Sequence, residues 1–433
     1  SVIEDIEIED MDNDGDLDII WASSLYIGYL TSDGAADPVF SNQGNLRGSS
    51  GTTDVISTYD ERHDMTYPLD LDIADLDGDG DLDIIGAFRG YSKDSSIAWI
   101  ENISDLSHPW ANWDVEIIYL GDENVFSPEQ HDFQYISLGD MDNDGDLDIV
   151  SASQACASSC SELGNINWYE NDGASDPTWT KTTIDSSSYG FLVDVADIDS
   201  DGDLDIVSAS HGNNSIEWYE NDGAATWTPA FTAADINTSA NVARDIHIAD
   251  MDRDGDLDIV SASSGDNTIA WYENDGTANP SWSATDIAYT ALGPRGVYVA
   301  DMDSDGDLDI VSASSGDNTI AWYKNDGAAN PSWSGTNIDT SADGARIVHV
   351  ADIDADGDLD IISASHDDDT IAWYENDGNS NPSYTKNVVA TSADGARNVH
   401  VADMDGDGDL DIVSASRLDN TIAWYENDGA TNP

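Results

Sequence analysis

Positive charge is what this chain of 433 residues most conspicuously lacks: 13 Lys and Arg stand against 89 Asp and Glu, a formal net charge of −76. So acidic a surface argues against nucleic acid and against anionic membranes as partners, since both are polyanions. No run of about 20 apolar residues exists, so no segment spans or inserts into a bilayer as a helix. Cysteine is confined to Cys156 and Cys160, in the polar stretch QACASSCSE. A small disulfide loop is the expected state, implying an oxidising compartment; the alternative is two free thiols, and with no His or third Cys nearby a metal site is not expected there. The sequence also opens without Met or a leader, as a mature or trimmed chain would.

What is abundant is aspartate in one frame. The pattern D-x-D-x-D-G-D-L-D begins at Asp10, Asp75, Asp140, Asp197, Asp250, Asp301, Asp352 and Asp403, eight copies whose spacing settles at 51 residues. A fixed period of this length overrides the two or three domains that chain length alone suggests and points to a repeat architecture. With 39% hydrophobic residues and 14 Trp the chain can bury a large core, so its charge does not imply disorder.

One repeat can be read from residues 343 to 393. ARIVHVAD alternates as a strand, the aspartate loop follows, and LDIISAS, DDDTIAWYEN and a weaker run around PSYTKNVV supply three more strands. Ile371 and Trp373 are expected on one face of the third strand, Ala372 and Tyr374 on the other, so both faces are apolar. A four-stranded sheet covered on both faces suits a propeller blade wedged between two neighbours. The aromatic position recurs as Tyr29, Trp99, Trp168, Trp218, Trp271, Trp322, Trp373 and Trp424. Packing between blades explains this stripe better than sugar stacking does.

The expected fold is therefore all-β, a β-propeller of eight blades of four-stranded antiparallel sheet, at residues 1–65, 66–130, 131–187, 188–240, 241–291, 292–342, 343–393 and 394–433. The last copy stops before its outer strand, and a continuation of the chain is expected to supply it.

Five carboxylates within nine residues repel one another unless a cation compensates them. Carboxylates at positions 1, 3 and 5, a Gly at 6 for the sharp turn and a backbone carbonyl at 7 reproduce the first half of an EF-hand loop, which points to Ca²⁺, with Mg²⁺ the weaker alternative. In one copy these are Asp301, Asp303, Asp305, Gly306 and Asp307; Ser312 stands where the EF-hand has its bidentate Glu, and Asp309 at position 9 is the expected replacement. The other ligand sets are Asp10, Asp12, Asp14, Asp16 and Asp18; Asp75, Asp77, Asp79, Asp81 and Asp83; and Asp140, Asp142, Asp144, Asp146 and Asp148. They continue as Asp197, Asp199, Asp201, Asp203 and Asp205; Asp250, Asp252, Asp254, Asp256 and Asp258; Asp352, Asp354, Asp356, Asp358 and Asp360; and Asp403, Asp405, Asp407, Asp409 and Asp411. About one Ca²⁺ per repeat, eight in all, is expected, as a structural clip. Eight divalent ions would raise the net charge only from −76 to about −60, which fits a salty or calcium-rich medium.

The repeated loop resembles the calcium loops of FG-GAP/VCBS-type repeats, as in the integrin α-subunit propeller, and the resemblance covers essentially the whole chain. The Phe-Gly and Gly-Ala-Pro signatures are absent, with VSAS and IAWYENDG in their places, and relatives usually have seven blades. The resemblance implies a secreted or cell-surface, calcium-binding, non-enzymatic module for adhesion, recognition or extracellular assembly, with other extracellular proteins or glycans as partners.

Deviations from the repeat mark candidate sites. Arg244, Arg295, Arg346 and Arg397 stand six residues before the loop in copies five to eight, with His247, Tyr298, His349 and His400 three residues before it. A half-ring of Arg near the channel mouth suits a carboxylate or sulfate, as on an acidic polysaccharide; the competing reading pairs each Arg with a neighbouring Asp or Glu. Irregular segments at 57–67, 88–96, 125–135 and 153–164 are expected on the face opposite the loops. Two alternatives follow: a lectin with sites repeated between blades, or a lyase or hydrolase acting on acidic polysaccharide through His63, Tyr67, Arg89 and His131.

Overall fold

A computed structural model describes residues 3–24, 26–32, 41–45, 68–88, 96–102, 113–120, 132–154, 164–186, 190–223, 231–288 and 290–429. Cys156 and Cys160, and His63, Tyr67, Arg89 and His131, lie outside the described residues, as do most of the irregular segments.

The described strands form eight separate antiparallel sheets, seven of four strands and one of three. In the seventh blade the chain runs outward through Ala345–Ala351, Asp360–Ser365, Thr370–Asn376 and Tyr384–Ala390. The second strand of this blade is buried along its whole length, whereas every residue of the outermost strand is half-buried or exposed. Such a gradient is what a sheet standing on edge between two others requires. The eighth blade has three described strands, ending at Thr421–Tyr425.

Eight hydrophobic clusters hold the blades together, one at each junction. Ala372 and Tyr374 pack with Val311 and Trp322 of the sixth blade. Ile371 and Trp373 pack with Val399 and Ile412 of the eighth, so the two faces divide as their alternation predicts. The junction that closes the ring joins Ile6, Ile19 and Trp21 to Met404, Val413 and Ala415. Trp99, Trp168, Trp218, Trp271 and Trp322 are among the most deeply buried side chains, and Trp271 meets Trp333 of the next blade edge-on at 6.2 Å. The aromatic stripe is core.

A polar link repeats beside this core. At the end of the third strand an Asn donates its side-chain amide to the carbonyl of loop position 2 in the preceding blade: Asn102 to Met11, Asn171 to Leu76, Asn221 to Met141 and Asn274 to Ile198. Asn325, Asn376 and Asn427 do the same to Met251, Met302 and Ile353. The first blade carries Ser32 at this position.

Candidate functional site

Two places concentrate charge, at opposite ends of the innermost strands. At the exit end lie the aspartate loops, whose geometry repeats in every blade. The position-1 carboxylate accepts the N–H of Gly at position 6 (Asp301 Oδ2 from Gly306, 2.8 Å), and the position-5 carboxylate accepts that of position 7 (Asp305 Oδ1 from Asp307, 3.0 Å). Gly306 has φ of +90°, a left-handed conformation that folds the acids inward over a tight turn.

Position 9 also anchors the loop. Asp309 is fully buried; its Oδ2 accepts the Met302 N–H at 3.2 Å and the Trp322 indole N–H at 3.0 Å, and its Oδ1 accepts the Asn325 N–H at 2.8 Å. Burial raises its pKa to about 7 against those hydrogen bonds. The expected substitute for the EF-hand Glu thus locks the loop to its sheet and to the stripe of Trp.

Acids at positions 1, 3 and 5 come together in loops two to five, and those at positions 1, 3 and 9 in the first. Asp75, Asp77 and Asp79 each bring a ligand oxygen within 4.8 Å of the others, as do Asp140, Asp142 and Asp144, while in the first loop the trio is Asp10, Asp12 and Asp18. At position 3, Asp142, Asp199 and Asp354 each keep a buried Oδ1 without a hydrogen-bond donor of normal geometry. Burial, then neighbouring loop carboxylates, raises the pKa of these three acids. All-oxygen ligands with uncompensated, inward-facing charge fit a hard divalent cation.

Sequence reasoning missed one more acid. The strand following each loop and its partner carries Glu101, Glu170, Glu220, Glu273, Glu375 and Glu426 two residues beyond the Trp. Glu220, Glu273 and Glu375 lie close enough to the position-3 acids Asp199, Asp252 and Asp354 to raise their pKa values. The signal was present: Glu220, Glu273, Glu375 and Glu426 each follow the first Asp of their loop by 23 residues.

At the entry end, the four Arg converge as the sequence predicts. A cavity of about 220 Å³ on the propeller axis is lined from all eight innermost strands, including Glu4, Asp70, Tyr135, Phe191, Arg244, Arg295, Arg346 and Arg397. A register shift opens each of these strands at the Arg position: Ala345 pairs with Ser365 and Ile347 with Ala364, leaving Arg346 as the extra residue. The same shift isolates Arg244, Arg295 and Arg397. A bulge re-aims its extra side chain, and here it turns four guanidinium groups toward one mouth.

Their partners differ. Arg397 pairs with Glu4 at 2.6 Å, and Arg417 reaches the same carboxylate at 3.4 Å. Arg244 and Arg295 donate through Nε to Ser264 and Ser315, each at 2.9 Å. Arg346 has no carboxylate or hydrogen-bond partner among the described residues; His366, which replaces the Ser, turns to Asp367. Burial, then Arg397 and Arg295, lowers the Arg346 pKa to about 9, so it stays cationic at neutral pH. The mouth's acids are engaged: Asp5, Asp70 and Asp245 accept the backbone N–H groups of Leu71, Ile136 and Val297. Internal pairing therefore accounts for Arg397 and not for the other three.

Below the Arg tier, His247, Tyr298, His349 and His400 form an arc with ring centroids 5.3 to 6.3 Å apart. Burial lowers the pKa of all three His, that of His400 to about 4, so the arc is uncharged at neutral pH.

Fold and loops together define an eight-bladed propeller in which every blade carries an acidic loop. The profile of the FG-GAP-like repeat matches residues 140–208, 197–261, 250–312, 301–363 and 352–414, and the chain belongs to that family. No curated protein matches it in sequence. Among solved structures, an Agrocybe aegerita lectin described as recognising non-reducing terminal N-acetylglucosamine is 16% identical, over 89% of this chain and 94% of that one, with a TM-score of 0.49. The periplasmic gluconolactonase of Pseudomonas aeruginosa is 13% identical over 86% of this chain and 99% of that one, with a TM-score of 0.47.

Proposed function

We propose that this protein is a calcium-stabilised recognition module working outside the cell or on its surface, and that it takes an anionic group of an extracellular glycan or protein into the Arg-lined mouth of its axis. The observation that carries the reading is Arg346, a cation without a partner among the described residues, turned by a bulge into a cavity that three further Arg share. In a chain of net charge −76, four of 13 basic residues stand at this mouth. A carboxylate or sulfate suits them because the planar guanidinium offers paired donors to two oxygens.

Calcium has a structural part in this reading. Bound at the loops, it would neutralise the clustered acids and stabilise the folded chain by mass action. The aspartates at positions 1, 3, 5 and 9 and the backbone carbonyl at position 7, with the strand-borne Glu nearby, would hold it. The loops and the mouth lie at opposite ends of the innermost strands, so the metal supports the site without entering it.

An acidic-glycan array with calcium present, run on the native protein and on an Arg346→Gln/Arg397→Gln double variant, tests the reading. A salt-sensitive signal from the native protein that the variant loses is the expected result. No signal, or an equal one from both proteins, removes the axial mouth as a binding site.

A further inference from the structure

The sixth blade breaks the charge pattern of its neighbours. Where six blades carry Glu two residues beyond the Trp, this blade carries Lys324. Its ammonium hydrogen-bonds the position-3 carboxylate of Asp303 and lies 3.0 Å from Oδ2 of Asp305 at position 5. The Asp303 side chain is wholly buried, so this ion pair sits inside the loop rather than over it.

A second cation arrives from the blade before. Arg253, at position 4 of the fifth loop, extends across the junction, and its Nη1 lies 2.7 Å from Oδ1 of Asp307 at position 7. Its Nη2 comes so near Gly306 that a Cβ there would stand only 2.5 Å away. The first and third loops use this position differently: Asn13 and Asn143 reach Asp81 and Asp203 through neutral amides. In loops two to five, seven and eight, no described Lys or Arg reaches an aspartate.

We infer that the sixth loop, Asp301 to Asp309, is a self-compensated copy: Lys324 and Arg253 hold its carboxylates in place of a metal ion, so the chain takes up at most seven calcium ions rather than one per repeat. This rests on the calcium reading of the other loops. A calcium ion needs oxygens from several positions at about 2.3–2.6 Å. Lys324 already occupies an oxygen at position 3 and approaches one at position 5, and its charge repels a divalent ion entering between them. The swap from Glu to Lys removes an acid and adds a tethered cation at the same place. The loop keeps its fold because its backbone hydrogen bonds are those of the other copies.

Calcium bound per chain, measured by equilibrium dialysis and metal analysis, is compared for the native protein, Lys324→Glu and Lys324→Gln/Arg253→Ser. A gain of one ion in either variant is expected. Eight ions on the native chain, or no gain in the variants, overturns the inference while leaving the calcium reading intact; no calcium on any of the proteins overturns both. Hydrogen exchange on the native protein needs no variant. On chelation, peptides covering 301–309 should keep their protection while those covering 250–258 and 352–360 lose it. Equal loss in all three overturns the inference.

Discussion

Arg397 and Glu4 meet across the junction of the last and first innermost strands, Nη1 to Oε2 at 2.6 Å, and Asn398 beside them donates to Asp5 at 3.1 Å. The two ends of the chain's described portion are thereby clasped next to the cavity in which the Arg converge. Glu4→Gln should lower stability by about 1–3 kcal/mol, since it strands two cations against a buried neutral amide. It should also strengthen binding of acidic glycans, because Arg397 is released toward the mouth. Urea unfolding and the glycan titration read the two effects.

Calcium removal should lower the melting temperature sharply. Differential scanning calorimetry in excess chelator, with metal analysis confirming removal, checks this. An unchanged curve would mean that the loops stand without a cation.

Trp322→Ala should cost about 3–5 kcal/mol, as large core truncations do. The ring is 2% exposed, packs on the seventh blade, and donates to Asp309. Its loss should leave glycan binding unaltered under conditions where the variant is folded. Full stability with lost binding would instead make the aromatic stripe a ligand surface.

Stability should fall as the pH is raised, and Glu7 is one cause. Burial, then Asp5, Asp72 and Glu9, lifts its pKa from 4.5 to about 9. The folded state therefore holds this proton more tightly than the unfolded chain does. Its contribution is complete below the unfolded value and is lost as the pH climbs through about 9. Glu7→Gln cannot lose a proton, so its melting temperature should decline less between about pH 5 and pH 9 than that of the native protein.

Much of this was legible in the sequence because it repeats at short range. The loops, the strand order within a blade and the two faces of the third strand are each local patterns seen several times over. The position of Arg346 was legible by the same recurrence, but its direction was not. The bulge that aims it is a mismatch in pairing between Ala345–Ala351 and Asp360–Ser365, a property of two strands together. Glu4 occupies the Arg position in the first copy, yet it becomes Arg397's partner only when the ring closes, 393 residues away. Lys324 was visible as one changed letter in a repeated run. That it enters the loop follows from the third strand lying against the second, which places its side chain over Asp303.

The chain of Asn links has a mechanical consequence. Seven junctions are riveted by an Asn amide reaching back to the previous loop, and at the eighth a Ser hydroxyl, that of Ser32, stands in the place of the amide. The closing junction therefore carries its described polar ties beside the mouth, in Arg397–Glu4 and Asn398–Asp5. Arg397 and Glu4 stand on either side of that junction, on the wall of the axial mouth. An anion seated against Arg346 and Arg397 would act as the pin of the clasp, so that filling the mouth and keeping the ring shut become one event.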